Sequence, residues 1–457
     1  MANVRDYGAI GDGVTDDTDA LQHAIDVGDG LLEFNKGTYR ISRSLLLDTT
    51  RQGFGAVRGA GGTTRLEMHG PGPAIRVVGD HRGTATPTTF RPSTWADERF
   101  PTLTEFEVLG AHPEADGIEL IKTMQCTISR VLVRKCRDGI RLTQRNRNFV
   151  LSDSHLYDNA RYGLFFDQCN LHQIIVHGNH ISYNKRAGIK SFDGDVHNLQ
   201  ITGNDIEYNN RPGVDQPDEG GAEIDFETPK GVISEVTISS NTIQATIQPG
   251  GANIRIHGPM AAASSGARLV TICGNVLGSQ TRGIQLEDAR RVAISGNTIY
   301  DSEELSIDAR RCSGVSVSGN TFVWRGGDQL PPRDGLRFMD CDNVSVVGAV
   351  TERLCFGNAE SGAGVTLVRC RDSAVMNCQI IDPLVRGIEL QDCLRCQISG
   401  NSIVDRRQRP SMQQAIRVLG KSRQNLIQNN MISGVVDKPI VVVAQGAMEQ
   451  NNVVWDG

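Results

Sequence analysis

The sequence is poor in aromatic residues, with 13 Phe, 7 Tyr and 3 Trp among 457. This excludes a core or binding surface built mainly on stacked rings. No run of eighteen apolar residues occurs, so no membrane-spanning helix is expected. Neither sign of charge dominates: 47 basic and 53 acidic residues give −6, which argues against non-specific nucleic-acid binding. The opening MANVRDYGAIGDG has no basic segment followed by an apolar one, so no signal peptide is read there. The 11 cysteines are odd in number, against a disulfide framework. The one CxxC, Cys393 to Cys396, has no second pair at zinc-site spacing, and no residue is assigned as a metal ligand. Glycine, in contrast, is abundant: 50 residues, about 11% against an ordinary ~7%. Such a chain turns often.

Self-comparison finds the period. A small residue, an aliphatic residue, a polar residue and another apolar residue recur. The first aliphatic positions are Ile118, Ile140, Leu164, Ile189, Ile224, Ile254, Ile284, Ile307, Leu336, Val365, Ile388, Ile416 and Ile440. The intervals run from 22 to 35 residues and the shortest cluster at 22–25, so that length is one turn and longer intervals carry insertions. About half a turn later comes a second phrase: HGNHI (177–181), TGNDI (202–206), SSNTI (239–243), CGNVL (273–277), SGNTI (295–299), SGNTF (318–322) and SGNSI (399–403). Gly-Asn suits a tight turn, and stacked asparagines can bond along a ladder. Cysteine follows the first aliphatic position by five residues at Cys169, Cys312, Cys341, Cys370 and Cys393, which predicts an interior ladder of small side chains.

Each repeat holds short alternating stretches and no ten-residue amphipathic segment. This predicts an all-β, single-stranded parallel β-helix of about 12–14 turns rather than a helical solenoid. The whole chain, 1–457, is expected to form one domain. Residues 1–110 would supply an N-terminal cap, the first turns and a long loop at 80–104, and residues 111–457 the regular turns. Asp16, Asp17 or Thr18 would cap a helix burying Leu21 and Ile25, closing the open end of the solenoid. Trp95 with Arg91 or Arg99 offers the long loop a sugar contact.

The segment VRDYGAIGDGVTDDTDALQHAI, followed by GTYRIS and VRGAGGTTRLEM, closely resembles the opening of the pectate-lyase-like, right-handed β-helix superfamily. That superfamily includes polygalacturonases, rhamnogalacturonases, exo-β-glucanases, mannuronan epimerases and phage tailspikes. The resemblance implies a right-handed β-helix and leaves the reaction open.

Strand alternation assigns the outward residues. If the repeated aliphatic residue points inward, residues one and three positions later point outward. The first column then includes Lys190, Asp225, Arg255 and Asp308; the second includes Asp167, Glu227, His257 and Glu287. Glu223 is expected on the same outward face. Asp225, Glu227 and Glu223 are the candidate catalytic acids. Lys190, Arg255, His257, Glu287, Asp167 and Asp308 are the candidate substrate contacts. The largest insertions, including Asn209 to Gly221 and the run from Gly258 to Ala267, would wall a groove beside them. Glu223-Ile-Asp225-Phe-Glu227 and Arg255-Ile-His257 resemble the acid and basic strands of polygalacturonase-like enzymes. The chain lacks their Asn-Thr-Asp, Gly-His-Gly and Arg-Ile-Lys motifs, its only Asp-Asp is Asp16-Asp17, and it also lacks the Asp-Pro-His of the epimerases.

The leading expectation is hydrolysis of an acidic, uronate-type polysaccharide or oligosaccharide by the carboxylate pair. This needs no cofactor. The alternative is a uronate lyase or C5-epimerase, in which the acids hold Ca²⁺ and Lys190, Arg255 or His257 is the base. A tailspike-like binding or structural protein is the third reading. No nucleic-acid or membrane partner is expected. The protein is expected to be a monomer or homo-trimer and to be secreted or periplasmic, its signal peptide lying outside this sequence.

Overall fold

A short alternating strand cannot bury its apolar face alone, so each here docks on its counterpart one turn along the chain. The architecture is that of a computed structural model, described for residues 2–83, 86–210, 220–258, 265–326, 333–443 and 446–455. The expected groove walls fall largely on 211–219 and 259–264, outside the described residues. Contacts group the chain into two compact units, 1–218 with 222–237, and 219–221 with 238–457.

In the first unit helix α1 (Thr18–Val27) buries Leu21, Ala24 and Ile25 and packs on the strands Leu31–Glu33 and Leu45–Asp48. The two preceding aspartates divide the work at its start. The Asp16 carboxylate accepts from the Thr18 N–H at 3.0 Å. Asp17 instead accepts from Ile10 N and Gly11 N at 2.7 and 3.0 Å, tying the GAIGDG loop to the helix.

The inward column is the one expected, and two turns precede it. Leu45 stacks on Ile75, Ile75 on Ile118, then Ile140, Leu164, Ile189 and Ile224 follow in parallel register. The strands that position the site are β1 (Tyr162–His177), β2 (Ala187–Phe192), β3 (Asp195–Thr202), β4 (Ala222–Glu227) and β5 (Val232–Ser239). Residues 80–104 are not all loop: they contain a short helix at Pro92–Ala96 and a strand at Thr102–Thr104. There Arg91 pairs with Asp80, and Trp95 lies 5.7 Å from Phe90.

In the second unit Ile254 stacks on Ile284, and Ile307, Leu336, Val365, Ile388, Ile416 and Ile440 continue the column. Its strands include β6 (Ala252–His257), β7 (Arg282–Glu287) and β8 (Leu305–Arg310). The five cysteines of the predicted ladder are buried. Their thiols donate to backbone carbonyls, as Cys370 does to Phe338 at 3.4 Å and Cys393 to Leu367 at 3.3 Å. Burial pushes the Cys169 thiol in the first unit up to about 12.

The Gly-Asn phrase forms the expected ladder, with the left-handed backbone falling on the glycine, as at Gly178 (φ 66°) and Gly203 (φ 65°). In the first unit Asn179 Oδ1 accepts from Ser154 N, while Asn179 N and Nδ2 both donate to Asn204 Oδ1, each at 3.0 Å. In the second unit Asn241, Asn275, Asn297 and Asn320 relay in the same way. A second ladder runs Asn159, Asn184, Asn209. Its amides lie so close to the preceding strand that a Cβ on Gly163 or Gly188 would meet Asn184 or Asn209 Nδ2 at 2.9 Å.

Asn179→Ala should cost about 1–3 kcal/mol, because it strands the buried Ser154 N–H. Asn179→Asp should cost more at pH 7, since a carboxylate cannot donate onward. Chemical denaturation of the two variants against the parent measures both.

Candidate functional site

Ile189 of β2 and Ile224 of β4 point inward and stack, so their neighbours are set in register on the outside. Lys190 faces Asp225, and Phe192 faces Glu227. The Lys190 ammonium lies 2.9 Å from Asp225 Oδ2 and 3.0 Å from Glu227 Oε1. The two carboxylate oxygens sharing it are therefore at most about 6 Å apart. Lys190 and Asp225 are buried, whereas the Glu227 side chain is 34% exposed. Burial works against the lysine charge, but the attraction and hydrogen bonds of Asp225 and Glu227 outweigh it and raise the Lys190 pKa.

Glu223 is not on this face. It occupies the place in the repeat that Gly188 holds one turn earlier, immediately before the inward isoleucine. Its side chain turns into the interior and is fully buried. Glu223 Oε2 accepts from Asn209 N at 3.2 Å and Asn209 Nδ2 at 2.6 Å. The acid thus ends the second asparagine ladder, and among the described residues its other oxygen has no partner. Burial raises its pKa well above the ordinary 4.5. The alternation rule fails here inside β4 itself, where Ala222 pairs with Ala187 and Ile224 with Ile189 but the intervening Glu223 and Gly188 are not paired.

The remaining first-unit candidate is Asp167, in the same outward column as Phe192 and Glu227 and joined to Arg141. In the second unit Asp308 is fully buried, and Arg337 clamps its two oxygens at 3.0 and 2.9 Å. Arg310 adds a bond at 3.1 Å. A carboxylate so enclosed holds its strands together and has no surface for a sugar. Glu287 pairs with Arg311 and lies 3.9 Å from His257. Arg255 donates to Gln285 Oε1 at 3.0 Å and to the Gly250 carbonyl at 2.7 Å. His257 has 39% of its side chain exposed.

Phe192 lies on the same outward column. It is 37% exposed and stands in register between Asp167 and Glu227. Its place in the outward column was the available signal.

Residues 102–243 and 260–452 match the family described as "Right handed beta helix region". The chain belongs to the right-handed β-helix family. Residues 1–61 of this β-helix also match the family described as "Rhamnogalacturonase A/epimerase, pectate lyase-like". A comparison with curated proteins returns no match. Among solved structures, the catalytic unit of a GH87 α-1,3-glucanase from Streptomyces thermodiastaticus is 16% identical, with a TM-score of 0.50 over 100% of this chain and 68% of that one. A mannuronan C-5 epimerase A-module from Azotobacter vinelandii is 15% identical, with a TM-score of 0.48 over 99% of each chain. The Dettilon tailspike protein is 16% identical, with a TM-score of 0.48 over 96% of this chain and 67% of that one. These likenesses are of fold.

Two stability effects follow from the geometry of the β-helix. Because burial raises the folded-state pKa of Glu223 above 4.5, the folded protein holds that proton more tightly than the unfolded chain. Its contribution is complete below pH 4.5 and is lost as pH rises through the raised value. Glu223→Gln keeps an acceptor for Asn209 and should flatten that part of the pH–stability curve above pH 5, as urea titrations across pH will measure. Lys190→Met should cost about 3–5 kcal/mol, since it leaves the buried Asp225 without its cation. Thermal and urea unfolding of this variant test that loss.

Proposed function

We propose that the protein cleaves glycosidic bonds in an acidic polysaccharide, by hydrolysis, on the face that carries Lys190, Asp225 and Glu227. The observation that carries this reading is the pair of carboxylates gathered on one ammonium, one buried and one open to solvent. Asp225, fixed from below by Lys190, suits the role of the ionised nucleophile or stabiliser. Glu227 is the member a substrate reaches, and suits proton delivery to the leaving oxygen.

A separation of at most about 6 Å between the nearest oxygens lies below the ~6.5–9.5 Å that leaves room for an inverting water, and favours retention. Phe192 offers an apolar platform to a sugar face beside Glu227. The raised pKa of Lys190 makes it a poor proton acceptor, which counts against lysine-based lyase chemistry. A Ca²⁺ between Asp225 and Glu227 would have to displace that ammonium. The match of residues 1–61 to a rhamnogalacturonase/epimerase family supports a sugar polymer as substrate.

The protein incubated with polyuronates, with and without chelator, should release reducing ends that carry no new ultraviolet absorbance. Unsaturated, absorbing products would replace hydrolysis with lyase chemistry. Asp225→Asn and Glu227→Gln should each lower kcat by about 10²-fold or more. Activity equal to the parent in both variants would overturn the assignment of the pair.

A further inference from the structure

A different face of the first unit brings two imidazoles and a carboxylate together. His172 of β1 and His197 of β3 are in register on successive turns, and Asp195 lies two residues before His197 on the same side of its strand. The two imidazole rings are stacked, with centroids 4.9 Å apart and planes inclined by 8°. One ring nitrogen of each histidine and one oxygen of Asp195 all lie within 4.8 Å of one another. All three residues are partly exposed, so an ion can reach them from solvent.

We propose that His172, His197 and Asp195 form a site for a divalent transition-metal ion, zinc foremost. Two imidazoles and a carboxylate suit zinc, which takes three protein ligands and a water in tetrahedral geometry. Bonds of ~2.0–2.1 Å place tetrahedral ligands about 3.3 Å apart. Side-chain rotations would have to close separations of up to 4.8 Å to that value.

The surroundings also match a ligand set. His197 Nε2 is 2.8 Å from Asp195 Oδ1, and its other nitrogen, Nδ1, is 3.6 Å from Glu235 Oε2 on β5. The ion would take the place of the Nε2 proton that now bonds Asp195, while a proton on Nδ1 faces Glu235, the carboxylate–histidine arrangement that orients a ligand. Asn198 Nδ2 holds that same Glu235 oxygen at 2.7 Å, and Asn170 Nδ2 ties off the second oxygen of Asp195 at 2.7 Å. Arg145 and Arg147 of the preceding turn oppose a dication. Arg147 is drawn aside, stacking on Phe90 at 4.9 Å and donating to Asn148 at 3.1 Å. Asp195 and Glu235 offset the remaining positive charge. The ion would fasten consecutive turns to one another.

Calorimetric titration of the full chain with Zn²⁺, and the visible spectrum with Co²⁺, test this site directly. The parent should bind one ion here, show an intense tetrahedral cobalt band and unfold at higher temperature with Zn²⁺ present. His172→Ala and His197→Ala, each checked for retained circular dichroism, should abolish the cobalt band. Glu235→Gln, a positioning change, should weaken binding about 10-fold or more. His257→Ala, in the second unit's group of His257, Glu287 and Asp288, should leave the band intact. Absence of binding at millimolar Zn²⁺, or a band that survives His172→Ala and disappears in His257→Ala, would overturn the proposal.

Discussion

Everything on the surface of each unit depends on one constraint, the stacking of an aliphatic side chain on its counterpart one turn away. Once Ile189 lies over Ile224, Lys190 must face Asp225 and Phe192 must face Glu227, because alternation leaves them nowhere else to go. A slip of one residue would turn the lysine toward the core and the isoleucine away from it. The asparagine ladders guard against such a slip. Each amide accepts from one turn and donates to the next, so a misregistered turn leaves buried polar groups without partners. Apolar stacking thus supplies most of the burial, and the amides supply its phase.

The chemistry of the candidate face is a consequence of that phase. Two carboxylates close together in a partly buried setting repel each other, and such a pair persists only with a cation between them. Lys190 fills that position. The same contact ties neighbouring turns together and, on the proposed reading, would also prepare the site. A substitution that removes the charge disturbs both, which is why stability and activity have to be read together at this position.

The inward column from Ile118 to Ile440, the Gly-Asn ladder and the cysteine ladder were all legible in the sequence, because each repeats one residue type at one phase. Leu45 and Ile75 were not, because the segment at 80–104 stretches the interval to Ile118 and hides the period. Within the site, Lys190, Asp225 and Glu227 followed from alternation. Glu223 did not, because the ladder skips its position near the start of β4 and a glutamate reads as a surface residue until its neighbour Asn209 is seen. Asp308 was misread for another reason. Its column partner Arg337 was visible in the sequence, but the combined closure by Arg337 and Arg310 emerges only when side-chain directions are known. The second asparagine ladder, Asn159, Asn184 and Asn209, was masked by changing flanks, Asp-Asn-Ala, Tyr-Asn-Lys and Tyr-Asn-Asn.

The end of that second ladder limits how the molecule can change length. A turn ending in an amide can be followed by a copy of itself, since the copy receives and returns the same pair of hydrogen bonds. The turns carrying Asn159, Asn184 and Asn209 are interchangeable in this sense, and a duplication or deletion among them preserves every bond in the row. Glu223 is an end-stop. It receives from Asn209 and returns nothing equivalent. The row is extendable on one side of this residue and closed on the other, and the strand on which it closes is the one that bears Asp225 and Glu227.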